Sequence, residues 1–215
     1  MTFDCYGTLV DWMSGIRATL GRLWPEADAD ELLLRYLAIE PGVQAGSGIP
    51  YRRVMREALS RVAAAEGLRI PEGEEDALAL SLPSWPVFGE VAGALAVLRG
   101  HGWKLAILSN TDADLLDTSL REIGVPVDHR VVASAIGSYK PAFGHWETFF
   151  LETGADRARH AHVAASLFHD IEPCAILGLP AVWINRLGET SEVPRAAELP
   201  DLTDLLSTID ALVPA

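Results

Sequence analysis

The sequence predicts an α/β fold, a Rossmann-like, doubly wound parallel sheet core with an inserted helical cap, on three observations. From Pro86 onward, helical and strand-like segments alternate in a βαβα rhythm, which specifies a parallel sheet covered on both faces. Between Trp12 and Leu82 the apolar residues recur at helix spacing instead. The chain opens with a short apolar run that ends at Asp4 and is followed by Gly7-Thr8, the pattern of a strand end and a tight turn. At 215 residues there is material for one good core and a modest second module. Residues 1–11 and 85–215 are therefore expected to build the core, and residues 12–84 the cap.

The elements follow in order. Ile16, Leu20 and Leu23 mark a first cap helix, Leu32 to Ile39 a second, and Val54 to Ala65 a third, with Gly42 to Pro50 as the break between the last two. Pro83-Ser84-Trp85-Pro86 closes the cap as a stiff connection. Val91, Ala94, Leu95 and Leu98 make a helix ended by Gly100 and Gly102, and the strand Lys104 to Leu108 follows. A helix from Asp112 to Ile123 takes Asp112 or Thr111 as its cap. Strands are expected at Arg130 to Ala133, His162 to Ala165 and Ala181 to Ile184, with helices at Trp146 to Leu151 and Ile171 to Leu177 between them.

A formal charge of −13 and a pI near 4.8 repel nucleic acid and anionic membranes, so neither is an expected partner. An anionic small molecule would need local positive charge, which narrows attention to a few Arg and Lys residues. Cys5 and Cys174 form no C-x-x-C pair and no disulfide framework, which fits a reducing cytoplasm. The Cys5 thiol is expected to fill space. No apolar run reaches membrane-spanning length. Only three residues precede Asp4, so a native N-terminus upstream of Met1 is left open.

Four polar sites fall at successive strand ends: Asp4, Ser109-Asn110, Lys140 and Asp170. Ser109 to Lys140 is 31 residues and Lys140 to Asp170 is 30, one βα unit each, so the topology gathers them at one rim. An aspartate presented on a Gly-Thr turn, whose amides face an incoming anion, is how a carboxylate nucleophile is displayed. Ser109 and Asn110 serve equally as helix caps or as a hydroxyl and an amide that hold a substrate. Pro141 imposes an extended backbone on Lys140. His160 and His162 alternate on a strand without an evident third ligand, so zinc is not expected.

Phe3-Asp4-Cys5-Tyr6-Gly7-Thr8-Leu9-Val10, the Ser109-Asn110 pair, Ser138-Tyr139-Lys140-Pro141 and Ser166-Leu167-Phe168-His169-Asp170 together resemble the successive motifs of the haloacid dehalogenase superfamily along the whole chain. Tyr6 stands where the superfamily's phosphatases carry a second aspartate, and this resembles the L-2-haloacid dehalogenase branch. That resemblance implies a hydrolytic dehalogenase acting on a short 2-haloalkanoic acid, a haloacetate or 2-halopropionate, through an ester on Asp4. It implies that Lys140 pairs with the nucleophile, that Asp170 orients Lys140 or helps activate water, and that Ser109 assists at the rim. Tyr6, Arg35, Asn110 and His169 would bind substrate. Arg35, 31 residues after Asp4, would close on the departing halide. No metal and no cofactor is implied, the partners are the anionic substrate and halide, and a homodimer is left open. Ala165 and Leu167 stand where the branch has Ser and Asn, and Trp146 where it has Tyr, which leaves substrate identity and the water-activating group open. The other readings are a magnesium-dependent phosphatase of a small ester and a catalytically silent binding protein.

Overall fold

The computed structural model describes residues 1–45 and 48–213. Its centre is a six-stranded, all-parallel sheet in the order β3-β2-β1-β4-β5-β6, formed by β1 (Thr2–Phe3), β2 (Ala106–Ser109), β3 (His129–Val132), β4 (His162–Ala164), β5 (Ala181–Ile184) and β6 (Ala197–Leu199). Chain order reverses beside β1, which pairs with β2 on one side and β4 on the other. In such sheets the crevice beyond the carboxyl ends at the switch point is where ligands sit.

Side-chain alternation along the strands produces two cores. Phe3, Ile107, Val163 and Val182 face one way, and Ala106, Leu108, Ala164 and Trp183 the other. The second face is covered by α8 (Gly144–Thr153), through Trp146 and Phe149, and by α9 (Glu172–Leu177), through Cys174. The first is covered by α5 (Val91–Gly100), α6 (Ala113–Ile123) and α10 (Leu205–Leu212). A short α7 (Ala133–Ile136) follows β3.

Everything with regular structure between Trp12 and Ser84 is helical: α1 (Trp12–Leu23), α2 (Ala29–Gln44), α3 (Tyr51–Ala65), α4 (Ala77–Ser81) and a 3-10 turn at Leu82–Ser84. Leu20, Tyr36, Val54 and Leu59 of these helices belong to the same contiguous core as Phe3 and Ile107, so the first core runs from the sheet into the helical layer. Asp11 caps α1 by accepting from the Ser14 amide, and Asp28 caps α2 by accepting from Asp30 and Glu31. Asp112 begins α6 but caps a different helix: its carboxylate accepts from the Tyr51 and Arg52 amides at the start of α3 and pairs with the Arg52 guanidinium at 3.0 Å. A core residue thus holds the helical layer through the N-terminal pole of α3.

Where α1 crosses the closing turn, Gly15 is required: a Cβ there would lie 2.3 Å from the Trp85 indole. Trp85 is itself anchored by its indole N–H on Ser81. Gly15→Ala is expected to destabilise the chain by about 1–3 kcal/mol, because overpacking at a rigid ring must shift the helix, and denaturant midpoints check it.

Candidate active site

Asp4 follows β1 at the switch point and is 7% exposed. The turn beyond it closes through the Gly7 amide on the Val10 carbonyl at 2.7 Å, with Gly7 at φ +95°, a conformation side chains rarely adopt. Thr8 comes round this turn to donate from its hydroxyl to Asp4 Oδ2 at 2.9 Å, and accepts from the Ala165 amide after β4. Asp4 Oδ1 accepts from Lys140 Nζ at 2.8 Å. Each oxygen of the carboxylate is fixed by one bond and keeps further acceptor capacity.

Lys140 is wholly buried, and its ammonium donates to Asp4, to Asp170 Oδ1 at 2.7 Å and to the Leu108 carbonyl at 2.8 Å. Its three N–H bonds are therefore all used. Burial pulls the ammonium pKa down, but the charges of Asp170 and Asp4 outweigh it and the net shift is upward. Burial likewise pushes the Asp170 carboxyl up, the Lys140 charge and the His162 bond reverse this, and the group ends below the usual carboxylate range. Lys140 and Asp170 therefore stay an ionised pair at neutral pH. Asn110 sets the lysine's backbone: its Oδ1 accepts from the Lys140 amide at 2.7 Å and its Nδ2 donates to the Lys140 carbonyl at 2.9 Å. The same Nδ2 reaches Gln44 Oε1 of α2 at 3.3 Å, so Asn110 also bridges core and helical layer.

Asp170 lies in a π-helical turn at Leu167–Ile171, begun by Ser166, whose hydroxyl accepts from the His169 amide. Its Oδ1 also accepts from His162 Nε2 at 2.9 Å. Behind it, Thr2 Oγ1 lies 2.8 Å from His162 Nδ1 and 3.1 Å from His160 Nε2. The two strand histidines are therefore joined through Thr2 into a buried line that ends on Asp170. Asp170 Oδ2 is buried and has no partner among the described residues, and the Ser109 hydroxyl is in the same condition. These are the two open polar atoms of the rim.

The cavity over this rim measures about 80 Å³ and is walled by Tyr6, Trp12, Glu40, Gln44, Tyr51, Ser109, Asn110, Ser166 and His169 above Asp4, Lys140 and Asp170. The sequence-predicted residues Asp4, Tyr6, Ser109, Asn110, Lys140, His169 and Asp170 thus share one pocket. Tyr6 gives it a ring face only, since its hydroxyl lies 3.1 Å from Ser119 Oγ on α6 and its ring stands edge-on to Trp85. His169 Nδ1 contacts Ser166 Oγ at 3.1 Å, and burial lowers its pKa.

Arg35 is a correction. It lies on the outer side of α2, half-exposed, with Nε donating to Glu66 Oε1 at 2.7 Å, and does not line the cavity. Helix phase is the reason: Tyr36, Glu40 and Gln44, spaced by four, share the inward stripe, and Arg35 is one step off it. Among the described residues no arginine lines the pocket, and a glutamate does. Sequence reasoning missed Glu40, although an acid flanked at four-residue spacing by Tyr36 and Gln44 on a helix with an apolar face was a visible signal. It also missed Thr8 as the second anchor of Asp4, and His162 as the support of Asp170.

Glu40 is 6% exposed, accepts from Gln44 Nε2 at 3.2 Å, and is pushed by burial up to about 7. Because its folded pKa lies above the unfolded value, its contribution to stability is fully present below about pH 4.5 and is lost as pH rises through about 7. Glu40→Gln should remove that slope, making the variant more resistant than the parent above neutrality by on the order of 3 kcal/mol, which denaturant titrations at several pH values check.

Among the described residues no group of three or more His, Cys, Asp or Glu is placed to hold a metal ion. Asp4 and a lysine between two carboxylates lie beneath a helical layer at the switch point of a 3-2-1-4-5-6 sheet. The chain belongs to the haloacid dehalogenase-like hydrolases, whose family model matches residues 1–178. It is similar to haloacetate dehalogenase H-2 of Moraxella sp. strain B, 27% identical over 225 residues that span 99% of this chain and 95% of that one. The (S)-2-haloacid dehalogenase of Pseudomonas sp. strain YL is 26% identical over 204 residues, 89% and 84% of the two chains. A crystal structure of an L-2-haloacid dehalogenase superposes with a TM-score of 0.86 at 26% identity, covering 97% of each chain.

Proposed function

We propose that the chain is a hydrolytic dehalogenase that converts a short 2-haloalkanoic acid, a haloacetate or 2-halopropionate, to the 2-hydroxy acid and halide through an ester on Asp4. The observation that carries this reading is the Asp4 carboxylate fixed between Lys140 and Thr8, with a tyrosine and not a second acid two residues on. A carboxylate in that setting attacks a saturated carbon from behind the halogen, the halide leaves with the bonding pair, and the stereocentre inverts. Water then adds to the carbonyl carbon of the Asp4 ester, and cleavage of its acyl–oxygen bond frees the hydroxy acid.

The rim supports each step. Lys140 offsets the charge of Asp4 and Asp170 and polarises the ester. Asp170 Oδ2 has no other partner and is suited to take the proton of the attacking water, with His162 and Lys140 fixing Oδ1. Ser109 Oγ is the free hydroxyl beside the substrate, and the rings of Tyr6, Trp12 and Tyr51 face the departing halide. A cavity of about 80 Å³ suits an acid of two or three carbons. Two of the relatives carry names for this chemistry, one for haloacetate and one for (S)-2-haloacids.

The experiment is halide release from chloroacetate, fluoroacetate and both enantiomers of 2-chloropropionate with EDTA present. Release from the small acids supports the reading, whereas magnesium-dependent phosphate release from a generic ester, without halide release, would replace it. Arg35→Ala should change turnover by less than about twofold, since an exposed pair with Glu66 contributes little. A large loss of kcat would return Arg35 to the site.

A further inference from the structure

An anionic substrate poses a problem in this pocket. Asp4 and Asp170 already face it, Lys140 is the only Lys or Arg side chain lining it among the described residues, and all three N–H bonds of Lys140 are committed to Asp4, Asp170 and the Leu108 carbonyl. Arg35 of α2 turns to Glu66 and Arg52 at the start of α3 to Asp112 and Asp114, and the exposed Arg53 does not line the cavity. The carboxyl group that the helical layer adds to the cavity wall, beside Trp12, Gln44 and Tyr51, is that of Glu40.

We propose that Glu40 acts as a neutral carboxyl that receives the substrate's carboxylate, so that the pocket recognises a short 2-halo acid by an acid–carboxylate hydrogen bond in place of a cation pair. The inference rests on the dehalogenase reading and deepens it. Glu40 sits on the inward stripe of α2, is almost wholly buried, and forms no ion pair among the described residues. Oε1 accepts from Gln44, which leaves Oε2 to carry the proton. An O–H donor to a carboxylate is a short, charge-assisted bond, and it needs no third positive charge to be desolvated.

The titratable groups around Glu40 are accounted for. Tyr36 on its own helix, Tyr51 at the start of α3 and Tyr139 ahead of Lys140 are phenols that burial holds neutral. Asp4 accepts from Lys140, Lys140 and Asp170 stay ionised as a pair, and burial lowers the His169 pKa, so that it stays neutral as pH rises. Burial without a cation raises Glu40 to about 7. In its ionised form it would be a third negative charge facing the substrate.

The consequence is a pH-gated affinity. With chloroacetate, which is ionised throughout, kcat/KM should be level below about pH 7 and fall by about tenfold per pH unit above it, the fall lying mainly in KM. Glu40→Gln keeps a neutral donor and loses the titration, so its profile should be level from about pH 6 to about pH 9. Glu40→Asp, the second variant, should keep the fall. Binding of glycolate, the product, to Asp4→Asn protein by calorimetry gives a readout without turnover: its Kd should weaken by about tenfold per unit above neutrality, and stay constant when Glu40→Gln is added. A level profile in the parent, or an unchanged fall in Glu40→Gln, overturns the role of Glu40 while leaving dehalogenation standing. Absence of halide release together with pH-graded glycolate binding overturns dehalogenation and leaves Glu40 standing, and absence of both overturns both.

Discussion

Asp4→Asn is expected to lower halide release by on the order of 10⁴-fold or more while leaving the chain folded. The amide keeps an oxygen to accept from Lys140 and turns an N–H donor to the Thr8 hydroxyl, which then accepts, so the two bonds that fix the side chain have replacements. What it loses is the negative oxygen that must form the bond to carbon. Among the described residues the other carboxyl groups lining the rim, Glu40 and Asp170, lie on other elements, so there is no alternative nucleophile in the same position. Asp170 is held one layer back by Lys140 and His162. Steady-state halide release and a thermal melt, run on the same preparation, check both halves of the expectation.

Lys140→Met should produce the largest loss of stability among the site variants, about 3–5 kcal/mol at neutral pH. The volume is nearly kept, but two carboxylates then face one another in a buried site without the ammonium between them. The pH dependence should invert. In the parent, Asp170 has a depressed folded pKa, so its contribution is present above the unfolded carboxylate value and is lost as pH falls through the folded one. In Lys140→Met one of the pair must take up a proton to fold, so the variant should recover relative to the parent as pH is lowered from neutrality towards about 4. A deficit that stays constant with pH would mean that Lys140 contributes by packing alone.

The parts of this site that the sequence makes legible are those fixed by strand ends. Asp4 follows β1 directly, Ser109, Lys140 and Asp170 stand at intervals of one βα unit, and a parallel sheet has little freedom to place them anywhere but on one rim. Arg35 was misplaced for the converse reason. Its distance along the chain from Asp4 says nothing about helix phase, and a one-residue offset on α2 turns a side chain by roughly 100°. The inward stripe is fixed by Tyr36 and Val43 packing into the core, and that packing gives the pocket Glu40.

The buried line Thr2, His160 and His162 was hidden differently. Alternation put both histidines on one side of the segment that leads into β4, but their shared partner lies on β1, a pairing that only the sheet order reveals. Strand β6 and helix α10 carried little signal either, because Ala197–Leu199 is a three-residue edge strand with an exposed glutamate at its centre. Gly15 lay unremarked inside a helical pattern, since only the Trp85 indole against it shows why a side chain is excluded.

On the proposed mechanism the oxygen added to the substrate comes from Asp4 and is restored to Asp4 by water. A single turnover of chloroacetate in oxygen-18 water, with protein in excess, tests it most directly by mass spectrometry of the product and of the peptide bearing Asp4. The account predicts glycolate carrying ordinary oxygen at its new hydroxyl and one heavy oxygen in the Asp4 peptide. Heavy oxygen in the glycolate hydroxyl, with an unlabelled Asp4 peptide, would show that water attacks the carbon directly and would contradict it.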